Sequence, residues 1–144
     1  MGKIFVDSSV LFAGIMSRTG YAHALLQRGR SEIHIVCSSA VLGEVERNLC
    51  RKYSAILADF TRFIDADILD VVDPSDSLTT ECAQLVHPKD APIVAAAIYS
   101  QSQWIATYDQ KHLLSARAAI QTHCNITTAR PNEILKALGL RSTP

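Results

Sequence analysis

Four acidic side chains, Asp7, Glu44, Asp90 and Asp109, stand where apolar segments end or helical segments begin. Asp7 closes the run Ile4-Phe5-Val6, and Asp109 comes just after Trp104-Ile105-Ala106-Thr107. Asp90 opens the alanine-rich segment beginning Ala91-Pro92-Ile93, and Glu44 lies in the helical segment that follows residues 33–37. Carboxylates gathered at one edge suit magnesium or manganese, hard ions that prefer oxygen ligands and keep several waters. Such an ion polarises phosphoryl oxygens and acidifies water, so the chemistry in view is phosphodiester hydrolysis. Without a cation the gathering is costly: two carboxylates about 4 Å apart repel by roughly 4 kcal/mol at an effective dielectric near 20.

Each acid also has an ordinary role open to it. Asp90 and Asp109 can cap the helical segments that follow them, and Glu44 can belong to a solvated helix face. Asp7 is hardest to explain that way, because a carboxylate directly after an apolar strand does little for solubility. Glu46, Asp59, Asp65, Asp67, Asp73 and Asp76 fit helix surfaces or turns, and Asp70 falls inside a strand. The five histidines are scattered and form no metal-spaced pair along the chain. Neither glycine-rich phosphate-binding pattern is present. Cys37, Cys50, Cys82 and Cys124 contain no C-x-x-C and read as reduced, structural thiols.

The elements that must position these groups alternate along the chain. Strands are predicted at 3–7, 33–37, 68–72, 104–107 and 126–128. Helices are predicted at 10–16, loosened by Gly14, and at 21–27, with Gly29 as a stop signal. Further helices follow the capping serines Ser38 or Ser39 and Ser54, then at 81–86, 91–100, 110–116 and 131–138. Crossovers of this length pair strands in parallel. The expected fold is a three-layer α/β/α domain around a short, mainly parallel sheet of four to five strands. Such sheets carry functional groups at the carboxyl ends of their strands. With 144 residues, 48% apolar and 19% charged, the chain reads as one domain over 1–140 and a tail at 141–144. Fourteen basic residues balance fourteen acidic ones, so attraction to nucleic acid needs a local patch. No leader-like start and no apolar run of membrane length is visible, which points to a cytoplasmic protein with no membrane partner.

Four segments, in order, resemble the PIN-domain family. They are Ile4-Phe5-Val6-Asp7-Ser8-Ser9-Val10-Leu11, Ser38-Ser39-Ala40-Val41-Leu42-Gly43-Glu44-Val45, Lys89-Asp90-Ala91-Pro92-Ile93-Val94-Ala95-Ala96-Ala97 and Thr107-Tyr108-Asp109-Gln110-Lys111-His112-Leu113-Leu114. The third is the most specific. The resemblance implies a metal-dependent endoribonuclease of the toxin-like branch, with Mg2+ or Mn2+ in an acidic groove. It implies that Asp7, Glu44, Asp90 and Asp109 are the catalytic and metal-binding acids. A hydroxyl from Ser9 or Thr107 would orient a ligand or water behind them. Where some members carry a further acid after the last Asp, this chain has Lys111 and His112. One tightly held ion, with a second recruited by the substrate phosphate, is therefore expected.

RNA approaching an acidic groove needs cations nearby. Arg47, Lys89 and Lys111 are the candidate phosphate contacts. Arg51 and Lys52 fit a solvated helix face at least as well, His112 fits a helix surface, and Tyr108 could stack on a base or pack. The resemblance is also compatible with an antitoxin partner and a homodimer. The alternative is a PIN-like module that binds RNA or protein with weak or no cleavage. A receiver-like phosphotransfer domain is disfavoured, because Asp7 is followed by Ser8 and Ser9 and not by a second acid.

Overall fold

The β-branched and aromatic run after Gly2 forms strand β1 (Lys3–Val6), whose last three side chains are completely buried. In the computed structural model, which describes residues 2–65 and 68–140, four further strands join it: β2 (His34–Cys37), β3 (Leu69–Val71), β4 (Trp104–Ala106) and β5 (Thr127–Ala129). All pairings are parallel, in the order β3-β2-β1-β4-β5. Phe5 lies level with Val36 on one side and Ile105 on the other. These central strands are apolar at nearly every position because both faces of a parallel sheet are covered.

Among the described residues, eight α-helices surround the sheet: α1 (Ser8–Met16), α2 (Tyr21–Gln27), α3 (Ser39–Lys52), α4 (Leu57–Asp65), α5 (Asp76–Cys82), α6 (Ala91–Tyr99), α7 (Arg117–Cys124) and α8 (Pro131–Ala137). The chain moves one way across the sheet from β1 to β3, then crosses back to β4 and β5. Parallel crossovers are almost always right-handed, which puts helices on both faces of a sheet with this order. Consistent with this, α1 packs on α2 and α3, α3 packs on α4, and α5 packs on α6, which rests against β1 and β4. The α/β architecture expected from the alternating elements is therefore the one observed. No helix among the described residues is long and apolar enough to cross a membrane. The predicted tail at 141–144 lies outside the described residues.

Local chemistry explains the helix starts. Ser38 caps α3 by accepting the Val41 amide at 3.3 Å, and Ser75 caps α5 by accepting the Leu78 amide at 3.2 Å. Ser39 is turned elsewhere, donating from its amide (2.9 Å) and hydroxyl (2.7 Å) to Asp73. Asp70 pairs with His34 on the neighbouring strand. These two acids thus have structural partners, as their positions in the sequence suggested. Gly14 does not loosen α1, which runs through it to Met16. A Cβ there would fall 2.5 Å from Leu26 Cδ1, so the glycine lets α1 and α2 close together. Gly29 acts similarly: a Cβ would lie 2.7 Å from Ile35 Cγ1.

Two helices differ from expectation. The helix predicted at 81–86 runs earlier, over Asp76–Cys82, because Ser75 supplies the cap and Asp76 the acidic first turn. Residues 110–116 form successive turns in place of a helix, and α7 follows at Arg117. In those turns Ser115 Oγ donates to the carbonyls of Lys111 (2.9 Å) and His112 (2.8 Å), a local pairing that competes with helix geometry. α7 starts without a side-chain cap and ends at Asn125 in the left-handed region (φ 56°), so its opening carries no sequence signal.

Candidate metal centre

The strand order reverses between β1 and β4, where chains leaving the sheet diverge and open a crevice at the carboxyl edge. Asp7 and Thr107 are the first residues beyond those two strands, and the Asp7 amide still donates to Ala106 O at 3.2 Å. Asp7 is only 5% exposed. Its Oδ1 accepts three donors: the Ser9 amide at 2.9 Å, the Ser9 hydroxyl and the Val10 amide at 3.3 Å. Its Oδ2 accepts the Thr107 hydroxyl. Oδ1 is thus saturated, while Oδ2 keeps a lone pair for another electropositive partner. Burial pushes the Asp7 carboxyl above its usual range, against the pull of those hydrogen bonds.

The same hydroxyls carry the network onward. Ser9 Oγ accepts the Tyr108 amide at 3.0 Å, and Thr107 Oγ1 accepts the Asp109 amide at 2.9 Å. The loop after β4 is therefore tied to Asp7 through both hydroxyls. Asp109 in turn accepts the His112 amide at 3.2 Å, closing the first of the turns that replace the predicted helix.

Asp90 sits at the start of α6 but does not cap it. Its backbone is already helical (φ −93°, ψ −15°), whereas a capping residue needs an extended backbone for its side chain to reach the second or third amide. Its carboxylate is 9% exposed and faces His112, whose Nδ1 lies 3.7 Å from Asp90 Oδ2. Burial raises its carboxyl above the usual range; His112 opposes this, Asp109 adds to it, and His87 and Lys89 oppose it more weakly. Asp90 and Asp109 are therefore near enough to feel each other's charge. Glu44 is exposed on α3, and the metal-sized group of ligand atoms found among the described residues does not include it.

The histidines correct the expectation drawn from their spacing. His87 and His112, 25 positions apart by subtraction, bring their rings to 5.2 Å between centroids beside Asp90. Among the described residues, His87, Asp90 and His112 are the group whose potential ligand atoms all lie within 4.8 Å of one another; the four acids are not drawn that close. His112 is not on a helix surface, since the helix expected there is absent. Linear spacing could not reveal this pair: it forms only when the turn before α6 meets the turns after β4.

Comparison with known families decides the fold's kinship, for the PIN-domain family model matches residues 4–118. The chain belongs to the PIN-domain family. Among solved structures this PIN domain is similar to PAE2754 from Pyrobaculum aerophilum, at 16% identity and a TM-score of 0.68, with 96% of each chain covered. It is similar to VapBC2 from Rickettsia felis, solved bound to a DNA fragment from their promoter, at 16% identity and a TM-score of 0.59, covering 89% of this chain and 98% of that one. A third is VapC20 from Mycobacterium tuberculosis, described as a sarcin-ricin loop cleaving toxin, at 18% identity and a TM-score of 0.54, covering 75% and 91%. No curated protein sequence matches the chain.

Around the acids of this PIN domain the cations are exposed. Arg47 lies on α3 one turn beyond Glu44, Lys89 precedes Asp90, and Lys111 lies in the turns after Asp109. None of the three makes an ion pair among the described residues. Arg130, just beyond β5, was not singled out from sequence; its guanidinium donates to Gln110 and so braces the turn that carries Lys111. Tyr108 is exposed, at 37%, so its ring remains open to solvent. A groove of about 570 Å3 opens elsewhere, lined by Gly14, Arg18, His23, Arg62 and Phe63 among others, and includes none of the four acids.

The carboxylate edge fits a divalent cation chemically. Asp7 offers Oδ2, Asp90 offers a carboxylate unused for capping, and Asp109 keeps one oxygen without a described hydrogen bond. The four cysteines are free; Cys37, which ends β2, is buried, and burial pushes its thiol up to about 12, which keeps it protonated and inert.

Proposed function

We propose that this PIN domain is a metal-dependent endoribonuclease that hydrolyses RNA phosphodiester bonds. The observation that carries the reading is two buried carboxylates, Asp7 just beyond β1 and Asp90 at the start of α6, at 5% and 6% exposure, with no Lys or Arg among the described residues bonded to either. Leaving ionisable groups buried in this way costs stability unless a cation offsets it. In this reading Asp7, Asp90 and Asp109 hold Mg2+ or Mn2+, and Glu44 contributes from α3. The ion, when bound, neutralises phosphoryl oxygens and makes water more acidic.

The chain's own residues do the rest. Ser9 and Thr107 fix the rotamer of Asp7 so that Oδ2 faces the crevice. A carboxylate left over from ion binding accepts a proton from the attacking water. Arg47, Lys89 and Lys111 hold phosphates on either side of the bond without reading bases. The likeness to VapC20 and VapBC2 supports a toxin role, with an antitoxin as partner; a homodimer and a cytoplasmic location belong to the same reading.

The test is cleavage of single-stranded RNA with magnesium or manganese by wild type, Asp7→Asn and Asp90→Asn. Loss in both variants is expected, and equal cleavage by all three would sink the assignment. One observation favours a second reading, a PIN domain that binds RNA or protein without cutting: Glu44 is exposed and lies outside the metal-sized group of ligand atoms found among the described residues. RNA binding with no cleavage in any metal would select it.

A further inference from the structure

We infer that His87, Asp90 and His112 form a binding site for a borderline transition-metal cation of the zinc class. Two imidazoles and one carboxylate are a donor set that zinc favours and magnesium does not, and three protein ligands leave a coordination position open. The potential ligand atoms of the three residues lie within 4.8 Å of one another. His112 Nδ1 and Asp90 Oδ2 are 3.7 Å apart, too far for a hydrogen bond. Two atoms each bonded to one tetrahedral zinc lie roughly 3.4 Å apart, given bonds of about 2.1 Å. The observed spacing needs only a small contraction to admit the ion.

The backbone holds this arrangement ready. The His87 carbonyl accepts the amides of Asp90 (2.8 Å) and Ala91 (3.1 Å), locking His87 three residues ahead of Asp90 in a closed turn. Asp109 accepts the His112 amide at 3.2 Å and fixes the second turn. One feature opposes binding: the Lys89 amide donates to His87 Nδ1 at 3.1 Å. Ligation through that nitrogen displaces this bond, and ligation through Nε2 requires the tautomer that cannot accept it. Either route gives up one hydrogen bond in exchange for a metal bond. His87 is exposed, so the ion has direct access from solvent. The inference takes nothing from the nuclease reading except that Asp90 serves both; zinc and magnesium should then compete.

The experiment titrates the full chain with Zn2+ against a chromophoric chelator and records the visible spectrum with Co2+. A Cys50→Ser background removes the exposed thiol from the competition. One Zn2+ per chain is expected. Affinity should fall at least about tenfold in His87→Ala and in His112→Ala, and be lost in the double variant, while Asp7→Asn stays near wild type. Thermal melts confirm that each variant is folded. No stoichiometric zinc in the parent chain, or a double variant that binds like the parent, overturns the site. Magnesium-dependent cleavage is measured alongside. Zinc bound without cleavage keeps the site and removes the nuclease reading; cleavage without zinc binding does the reverse.

Discussion

Asp7 illustrates how one side chain can serve the fold and a site at once. Its Oδ1 caps α1, and Asn caps helices about as well, so Asp7→Asn should keep those bonds while removing the charge. Burial holds its carboxyl above the ordinary 3.8, so the folded chain binds this proton more tightly than the unfolded chain. Stability from this group is therefore lost as pH rises through the raised value and recovered on acidification toward 3.8. Metal-free Asp7→Asn is expected to be more stable than wild type at neutral pH by about 0.5–2 kcal/mol, in the range of single stabilising substitutions. The gap should shrink as pH falls through the raised value toward 3.8, as thermal melts in chelator would record. The same variant should lose RNA cleavage by about 100-fold or more, roughly 2.7 kcal/mol in barrier. A second prediction concerns Thr107, whose hydroxyl donates to Asp7 and accepts from the Asp109 amide. Thr107→Val should weaken metal binding about 10–100-fold, whereas Thr107→Ser should keep most of it. A Thr107→Val chain that binds metal as tightly as wild type would show that the hydroxyl is not needed.

Among the elements, α1 and α2 make the tightest demand. Gly14 is the point where they meet, and an added methyl would collide with Leu26, itself 1% exposed. Gly14→Ala should destabilise the chain by about 1–3 kcal/mol, the usual cost of overpacking. Urea denaturation would show this as a lower midpoint with an unchanged slope. A neutral or stabilising result would mean that α2 moves away freely. The turns at 110–116 make the opposite point. A helix is expected there with Asp109 as its cap, but the segment forms successive turns stabilised by Asp109 and Ser115, with Leu113 and Leu114 buried among them. That departure is what turns His112 toward Asp90.

For the whole molecule, zero formal charge means that RNA must be held by a few local cations. With the cleavage-deficient Asp7→Asn chain as background, single-stranded RNA binding should weaken with salt. Removing Arg47, Lys89 or Lys111 should each lower the salt slope by about 0.7, the value for one contact to a single strand. Fluorescence anisotropy over a salt series measures it, and unchanged slopes would return these residues to a solvated surface. A further expectation is linked to the buried carboxylates: millimolar magnesium should raise the melting temperature at neutral pH, because an ion bound only by the folded chain adds its binding free energy to stability.

The sequence by itself determined the strand-helix alternation, the cap at Ser38, and the strand-end positions of Asp7 and Asp109; that Asp7, not Ser8 or Ser9, caps α1 is seen only in the fold. These are local matters of periodicity, capping chemistry and apolar runs, legible wherever a segment's own residues decide its shape. Family kinship was legible for the same reason, in short ordered segments. Tertiary structure decided the rest. It set the strand order that brings the ends of β1 and β4 together, and it left Asp90 in a helical conformation that cannot cap. It also put Glu44 on an exposed face and brought His87 to His112. Each of these depends on packing between segments distant in the chain, and linear spacing carries no information about that distance.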